Sequence, residues 1–302
     1  MQLTFATRPS ALARQQTARV IQLLQVAHPQ LECSEILIST IGDRVFDSPL
    51  PEIGGKGLFT SELENALLSG KAHAAVHSLK DLPMEETPGI LIAAIPERES
   101  AFDVLISADA SPLSNLPEGA RVGTSSPRRI AQLLVRRPDL TILNLRGNVD
   151  SRLRKLMNRE YDAIVLAQAG LNRLGLQAHV TEVFSLEVML PAPGQGALAV
   201  QCRADDIDTF ELLRTIHDPI TAAAVNAERA FLSRLGGGCL LPIAAFAEQT
   251  NGRIILTGAV MSADGKQSIR LSAADQDSQK LGERLSQLLL ERGAADLLKA
   301  LA

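Results

Sequence analysis

The stretch ARVGTSSPRRIAQLLVRRPDLTILNLRGNVDSRLRKLMNREYDAIVLA, residues 120–167, alternates short apolar runs with helical patterns. Its apolar runs ARVGTS, LTILNL and DAIVLA have the length and composition of buried strands. The segments between them, PRRIAQLLVRR and NVDSRLRKLMNR, place apolar residues at helical spacing. This alternation predicts a sheet of parallel strands with helices on both faces.

The same alternation occurs earlier in the chain. Strands are predicted at 3–7, 35–40, 74–78 and 90–95, and helices at about 10–27 and 58–70. The two blocks cover residues 1–97 and 100–192, with a break near residues 97–103. The strand-like run ALAVQC, just before Arg203, is expected to return to the first sheet, as in two-lobed proteins whose chain crosses twice between lobes. That arrangement predicts a cleft between the lobes.

The last third of the chain has a different pattern. A helix at about 220–235 precedes the runs PIAAFAEQ, RIILTGAVM and QSIRLSA, whose NG and DG turns predict an antiparallel meander. A closing helix is predicted to bury one face, formed by Leu281, Leu285, Leu288 and Leu289. The 302 residues therefore predict three domains. Their predicted bounds are 1–97 with 196–217, then 100–192, then a small α+β domain at 219–302.

Composition limits the class of protein. Hydrophobic residues make up 46% and charged residues 21%, which is ordinary for a globular protein. The cysteines Cys33, Cys202 and Cys239 are odd in number and far apart, which predicts neither a disulfide framework nor a metal site. A reducing, cytoplasmic compartment is expected. The N-terminal sequence predicts no signal peptide, and no apolar run has the length of a membrane helix, so no membrane association is expected.

Charge is distributed unevenly. The chain has a net charge of −4, but residues 121–173 contain ten arginines and one lysine against four acidic residues, a net charge of +7. This segment is suited to bind anions.

Three predicted strand-to-helix junctions combine a capping residue with arginine. They are TRPSAL (7–12), GTSSPRR (123–129) and LRGNVDSR (145–152). Helix N-termini bind anions through free N–H groups, and arginine binds carboxylates in a planar fork. Ordinary helix capping with solvated arginines is the alternative explanation for any one junction. Three such junctions in one fold favour an anion-binding surface.

Two further segments are candidates for function. HSLKDLP (77–83) ends a strand with Lys80 and Asp81 side by side, either as a surface ion pair or as a functional lysine and a carboxylate whose pKa depends on its surroundings. His77 is assigned no catalytic role. GGKGLF (54–59) lacks the spacing of a nucleotide-binding P-loop and is interpreted as a loop near the cleft.

The stretch LGGGCLLP (235–242) places three glycines directly before Cys239. One glycine usually suffices at the end of a helix, and three leave the backbone open to a large ligand. An accessible thiolate is a good nucleophile. No histidine is adjacent, so an attachment point for a covalent group is favoured over a protease-type dyad. Cys33 and Cys202 are interpreted as structural.

These motifs together resemble the hydroxymethylbilane synthase (porphobilinogen deaminase) family. The matching segments, in family order, are HSLKDLP, GTSSPRR, LRGNVDSRL, YDAIVLAQAGLNRLG, PAPGQGALAVQCR and AERAFLSRLGGGCLLP. The segment ESAFDV (99–104) is a looser match. The resemblance implies an α/β fold of two periplasmic-binding-protein-like (type II) lobes with mixed, mainly parallel sheets, plus a small α+β C-terminal domain. It also implies a monomeric transferase.

The resemblance further implies the reaction. Four porphobilinogen molecules are joined head to tail with loss of ammonia onto one dipyrromethane cofactor, and water releases linear hydroxymethylbilane. Cys239 would hold the cofactor through a thioether, and Asp81 would be catalytic, stabilising the cationic azafulvene. Lys56 and Phe59 would belong to a lid. The implied binding residues are Arg8, Ser10, Lys56, Phe59, Lys80, Thr124, Ser126, Arg128, Arg129, Arg146, Arg152, Arg173 and Gln195.

Two other functional classes are alternatives. A non-catalytic two-lobed anion-binding module would need the arginine junctions but neither Asp81 nor an accessible thiol. An RNA-binding protein could use the basic segment, but an aromatic content of 3% without tryptophan provides few platforms for base stacking. Nucleic acid is therefore not an expected partner.

Overall fold

The structure, a computed structural model, describes residues 2–44, 60–236 and 241–299. The chain divides into two compact units. The first comprises Met1–Arg98 and Ala197–Ala222, and the second comprises Glu99–Gly196 and Ala223–Ala302. Within the described ranges, no helix is long and apolar enough to cross a membrane.

Strands and helices alternate through most of the described chain. The strands are β1 (Gln2–Thr7), β2 (Glu32–Leu37), β3 (Ala74–Ser78), β4 (Ile90–Ala94), β5 (Asp103–Ser107), β6 (Arg121–Gly123), β7 (Thr141–Leu143), β8 (Ala163–Ala167), β9 (Glu182–Val183), β10 (Leu198–Arg203), β11 (Ile243–Thr250), β12 (Arg253–Met261) and β13 (Ser268–Asp275). The helices are α1 (Ala11–Ala27), α2 (Ile41–Arg44), α3 (Ser61–Leu68), α4 (Pro127–Arg136), α5 (Val149–Met157), α6 (Gln168–Leu174), α7 (Ile207–Arg214), α8 (Pro219–Arg234), α9 (Ser278–Leu289) and α10 (Ala295–Lys299).

The first unit contains a five-stranded sheet in the order β2-β1-β3-β10-β4. Strand β10 is antiparallel to both of its neighbours, and β1, β2 and β3 are parallel. The prediction that ALAVQC returns to the first sheet is confirmed. Apolar side chains of β1 pack on both faces: Phe5 joins a cluster with Val20 and Leu24 of α1, and Ala6 joins a cluster with Leu63 of α3.

The second unit repeats this plan in the order β7-β6-β8-β5-β9. Strands β6, β7 and β8 are parallel, and β5 is antiparallel to β8 and β9. In both sheets the antiparallel strand occupies the fourth position. The predicted fold of two lobes with mixed, mainly parallel sheets is therefore confirmed.

The second unit also contains a separate antiparallel sheet, β11-β12-β13, which confirms the predicted meander. Helices α8 and α9 share one apolar cluster with this sheet. Gly282 allows the helices to approach closely, because a Cβ there would lie 2.6 Å from the Ala227 carbonyl oxygen. Leu281, Leu285 and Leu289 are fully buried as predicted.

Some sequence-based bounds differ from the structure. Strand β2 begins at Glu32, three residues before the predicted start, because an edge strand can include polar residues. Strand β5 begins inside the predicted break, at Asp103. Leu288 is 38% exposed, so its predicted burial is wrong: it lies at the margin of the apolar stripe of α9. The three-domain division stays a prediction.

Candidate active site

The carboxyl ends of two neighbouring parallel strands bring four predicted site residues to one edge of the first sheet. Arg8 and Ser10 follow β1, and Lys80 and Asp81 follow β3. Because β1 and β3 pair in parallel, the segments that follow them leave the sheet at the same edge. In open α/β sheets this edge is the usual ligand-binding side.

Asp81 ends a 3₁₀ turn, Leu79–Asp81, that is firmly anchored. Leu79 is fully buried, and its N–H donates to the Ala197 carbonyl at 3.0 Å. The preceding Ser78 Oγ accepts from Gln16 Nε2 at 2.8 Å. Asp81 itself is exposed, and within the described part of the chain its carboxylate has no hydrogen bond or ion pair. A fixed backbone thus presents a carboxylate that is open to a ligand.

Arg8 already has a protein partner. Its Nε donates to both carboxylate oxygens of Asp43 at 3.1 Å, and Asp43 also accepts from the N–H and hydroxyl of Thr40. Partial burial raises the pKa of Asp43, but the hydrogen bonds from Arg8 and Thr40 outweigh it and hold this pKa below its usual value. Arg8 is therefore held in one orientation by a carboxylate of the same unit.

Several predicted site residues of the second unit follow its parallel strands. Thr124 and Ser126 follow β6, Arg146 and Arg152 follow β7, and Arg173 lies in α6, directly after β8. Strands β6, β7 and β8 are neighbours and parallel, so these segments share one edge of the second sheet. Three arginines of the charged segment recognised in the sequence thus lie at the side where ligands usually bind.

The three predicted helix caps differ in geometry. Ser10 Oγ accepts from Ala13 N at 3.3 Å, and Asn148 Oδ1 accepts from Ser151 N at 3.0 Å, so these two caps are confirmed. Ser126 occupies the N-cap position of α4, but its hydroxyl makes no capping hydrogen bond. Its backbone N–H instead donates to Thr124 Oγ1 at 3.2 Å.

A buried carboxylate joins three of the predicted binding residues. Asp103, the first residue of β5, is fully buried. Its Oδ2 accepts from Arg128 Nη1 at 2.7 Å, and its Oδ1 accepts from Arg129 Nη2 at 2.7 Å and from Gln195 Nε2 at 3.1 Å. Asp103 was not among the predicted site residues, because a break between the two blocks was predicted at residues 97–103.

The remaining contacts of the two arginines are also internal to the second unit. Arg128 Nη1 donates to the Leu190 carbonyl, and Arg129 Nη1 donates to the Val165 carbonyl, both at 2.8 Å. Burial lowers the pKa of Arg128, and the charge of Asp103 opposes that change. The sequence predicted arginines that bind carboxylates, with solvated arginines as the alternative. Both guanidinium groups are buried and paired with a carboxylate of the protein itself, which leaves a net charge of +1 on the cluster.

Arg173 is half-buried. Its Nη2 donates to the Gly196 carbonyl at 2.7 Å. Burial lowers its pKa to about 10, against the opposing charge of Glu99. Arg173 therefore remains cationic at neutral pH and is oriented by the backbone at Gly196.

Replacing Gly196 with alanine is expected to destabilise the protein by about 2–4 kcal/mol. The glycine has a φ of +88°, and a Cβ would lie 2.3 Å from the Glu99 carbonyl oxygen and 2.7 Å from that of Ser100. Gly175→Ala is the matched control: its φ is +70° but no atom lies within 4 Å, so strain alone should cost about 1–2 kcal/mol. Urea unfolding measures both. Equal losses of unfolding free energy in the two variants would show that the backbone near Gly196 shifts to accommodate the added Cβ.

Cys239, Lys56 and Phe59 lie outside the described residues. The other two thiols are poor nucleophiles at neutral pH: burial raises the pKa of Cys33, and burial raises that of Cys202 to about 11. Among the described residues, no group of three histidine, cysteine or acidic side chains could hold a metal ion.

Two family models together match nearly the whole chain. Residues 3–211 match the family model described as "Porphobilinogen deaminase, dipyromethane cofactor binding domain". Residues 222–291 match "Porphobilinogen deaminase, C-terminal domain".

Named relatives agree. The porphobilinogen deaminase of Syntrophotalea carbinolica is 47% identical over 99% of this chain and 96% of its own length. That of Brevibacillus brevis is 47% identical over 97% and 95%. Among solved structures, the Methionine Binding Protein MetQ covers 71% of this chain and 89% of its own at 11% identity, with a TM-score of 0.45, which supports no conclusion about function.

The chain belongs to the porphobilinogen deaminase (hydroxymethylbilane synthase) family. It is a transferase of tetrapyrrole biosynthesis that binds a dipyrromethane cofactor and acts on porphobilinogen. The alternatives of a non-catalytic anion-binding module and an RNA-binding protein are set aside by this membership.

Proposed function

We propose that in this enzyme Asp81 is the catalytic carboxylate, Cys239 holds the cofactor, and the basic groups at the two sheet edges bind the acidic substituents of cofactor and substrate. The observation that carries this proposal is the anchored Leu79–Asp81 turn, which presents an exposed carboxylate beside Lys80 at the carboxyl edge of a parallel sheet.

The donor set fits the group to be bound. Each pyrrole ring of the cofactor and substrate bears an acetate and a propionate, so the bound chain is a polyanion. The described basic residues suit carboxylates because guanidinium offers paired donors. When bound, the cofactor supplies the pyrrole primer that the four substrate units extend.

Asp81 would act on the substrate in two ways. Its carboxylate can accept a hydrogen bond from a pyrrole N–H, which orients the ring. It can also stabilise the positive charge that develops on the substrate as ammonia leaves. Because its backbone is already fixed, the carboxylate needs little reorganisation during the reaction. Lys80 would hold an acidic substituent close to it.

The predicted binding residues would divide into two kinds. Arg146, Arg152 and Arg173 are half-buried and would contact carboxylates directly. Thr124 and Ser126 would add hydrogen bonds at the start of α4, where the Ser126 hydroxyl is not used for capping. Ser10 would add one at the start of α1. The buried Arg128, Arg129 and Gln195 would contribute their remaining N–H groups and a net positive charge.

Arg8 would contribute to binding in the first unit while its orientation is set by Asp43. The roles of Lys56 and Phe59 in a lid stay predictions. We also propose a division into three domains at 1–97 with 196–217, 100–192 and 219–302, a monomeric state, and a cytoplasmic location. The widely separated cysteines support the last of these.

Mass spectrometry of the purified enzyme tests the attachment site. The intact protein is expected to be heavier than the bare chain by one two-pyrrole unit, and the added mass should map to the Cys239 peptide. Cys239→Ser should have the mass of the bare chain, because serine is a much weaker nucleophile than a thiolate. Cys33→Ser is the control and should keep the added mass. A fully loaded Cys239→Ser enzyme would contradict the proposal.

A further inference from the structure

The middle serine of GTSSPRR has no role in the proposed function. Ser125 lies between Thr124 and Ser126, and it is exposed, so its side chain is not part of the apolar core. Its hydroxyl nevertheless joins a second segment of the chain. Ser125 Oγ accepts from the Leu145 N–H at 3.0 Å and contacts two oxygens, the Leu145 carbonyl at 2.8 Å and Asn144 Oδ1. The hydroxyl has one proton, so it donates to one of these oxygens at a time.

These contacts continue the pairing of β6 and β7 beyond the ends of the two strands. Among the described residues, the last backbone hydrogen bond between these segments joins the Thr124 N–H to the Leu143 carbonyl at 3.0 Å. Beyond it the first segment turns into α4. The Ser126 N–H donates to Thr124 Oγ1, and Pro127 has no N–H to offer. The side chain of Ser125 therefore takes the place of a backbone partner.

Leu145 depends on this hydroxyl for both of its backbone polar groups. In the part of the chain that the structure describes, its N–H and its carbonyl have no hydrogen-bond partner except Ser125. The Leu145 side chain is fully buried in an apolar cluster with Leu153 of α5. Burial determines where this side chain lies, and the hydroxyl determines the direction of the peptide groups on either side of it.

Two successive peptide groups are held in this way. The peptide group between Asn144 and Leu145 donates its N–H to Ser125, and its carbonyl accepts from Tyr161 Oη at 2.8 Å. The next peptide group, between Leu145 and Arg146, accepts from Ser125 at its carbonyl. Because a peptide group is planar, a bond to this carbonyl also sets the direction of the backbone at Arg146.

We propose that Ser125 is a positioning residue for carboxylate binding. Its hydroxyl ties the segment that carries Thr124 and Ser126 to the segment that carries Arg146, and so sets the separation of two groups of donors. Serine suits this position because one hydroxyl can both accept from an N–H and donate to an oxygen. The inference rests on the proposed function of these residues. Ser125 would act through Arg146 and not by contact with the substrate.

Steady-state kinetics of two variants test this inference. Ser125→Ala removes the hydroxyl, and KM for porphobilinogen is expected to rise about three- to tenfold with kcat changed less than about twofold, because a binding group loses one orienting hydrogen bond. Ser125→Thr keeps the hydroxyl and should keep KM within about twofold of the wild-type value. Wild-type KM in Ser125→Ala, or a KM in Ser125→Thr as high as in Ser125→Ala, would overturn the inference.

A double-mutant cycle identifies the group through which Ser125 acts. In the Arg146→Ala background, adding Ser125→Ala should change KM less than about twofold, because the group to be positioned is already absent. An equal rise of KM in both backgrounds would mean that the hydroxyl acts on the substrate directly, and the positioning role would be rejected. An unchanged KM in Arg146→Ala alone would refute the proposed function of Arg146 and the inference with it.

Ser114→Ala is the matched control. Ser114 is an exposed serine of the same unit, and its Oγ donates to Asn115 Oδ1 at 3.0 Å. This contact also joins a serine to an asparagine side chain, but it links neighbouring residues and not two segments. KM should therefore be unchanged. A rise in KM as large as that in Ser125→Ala would show that the loss of an exposed hydroxyl is enough, and the inference would fail.

Amide hydrogen exchange of the holoenzyme measures the hydrogen bond without turnover. Ser125→Ala is expected to speed exchange of the Leu145 N–H about tenfold, because that group loses its partner, while Ser114→Ala leaves the rate unchanged. An unchanged rate in Ser125→Ala would contradict the inference even if KM rises. A failure of Arg146 as a binding residue would leave the faster exchange intact, so the proposed function and the hydrogen bond are tested separately.

Discussion

Replacing Asp103 with asparagine is expected to lower the free energy of unfolding by about 3–5 kcal/mol. The wild-type carboxylate is fully buried and neutralises one of two buried guanidinium groups. Asparagine keeps the shape but loses the charge. Its amide nitrogen must then face the N–H groups of Arg128 or Arg129, so a donor opposes a donor. The loss would be a large fraction of the stability of an ordinary domain.

Urea unfolding followed by circular dichroism measures this effect. Asp139→Asn is the control, because Asp139 pairs with Arg137 in the same unit at the same distance of 2.7 Å but with both side chains partly exposed. Exposed pairs contribute little, so this variant should be far less affected. A similar small loss in both variants would show that water or another group compensates the buried arginines, and the central importance of Asp103 would be refuted.

Asp103 also shows where sequence reasoning reached its limit. The two arginines were recognisable in GTSSPRR, but their partner lies 25 positions earlier in a segment that resembles the family only loosely. The pair forms because β5 lies beside β8 in the sheet, antiparallel to it, with Asp103 opposite Ala167. Sheet order of this kind follows from tertiary packing and not from local periodicity.

The fold itself was predictable where apolar runs are strong. Strand β3 has the predicted bounds. The return of β10 to the first sheet was predicted from the strand-like run ALAVQC. Strand β2 was misplaced because the run EILIST extends beyond the sheet while the polar ECSE half is paired at its edge. The pattern of apolar residues indicates which strands are buried, and edge strands are the least buried strands of a sheet.

The candidate site was predictable in a different way. Residues that follow neighbouring parallel strands of one sheet, such as Ser10 and Asp81 of the first sheet, must share an edge of that sheet. Their secondary contacts were not predictable. Asp43 of α2 holds Arg8 across 35 positions, and this contact depends on β1 and β2 becoming neighbours.

Replacing Asp81 with asparagine is expected to lower kcat about 10²–10³-fold with little change in stability. The amide keeps the size of the side chain and one acceptor oxygen, but it cannot stabilise a developing positive charge as a carboxylate does. Stability should be retained because Asp81 is exposed and the turn is held by buried Leu79 and the Ala197 carbonyl. Single-turnover kinetics with porphobilinogen would measure the loss on the bond-forming step itself.

Two measurements make this result specific. Mass spectrometry must show that the Asp81→Asn protein still carries its cofactor, so that a loss of loading is not mistaken for a loss of chemistry. Glu86→Gln, a change of the same kind at an exposed carboxylate five positions along the chain, should leave kcat unchanged. Near-normal turnover in a loaded, folded Asp81→Asn enzyme would remove the catalytic role from Asp81. The positive charge on the substrate would then have to be stabilised by another group, because every other assigned residue at that edge of the first sheet is neutral or cationic.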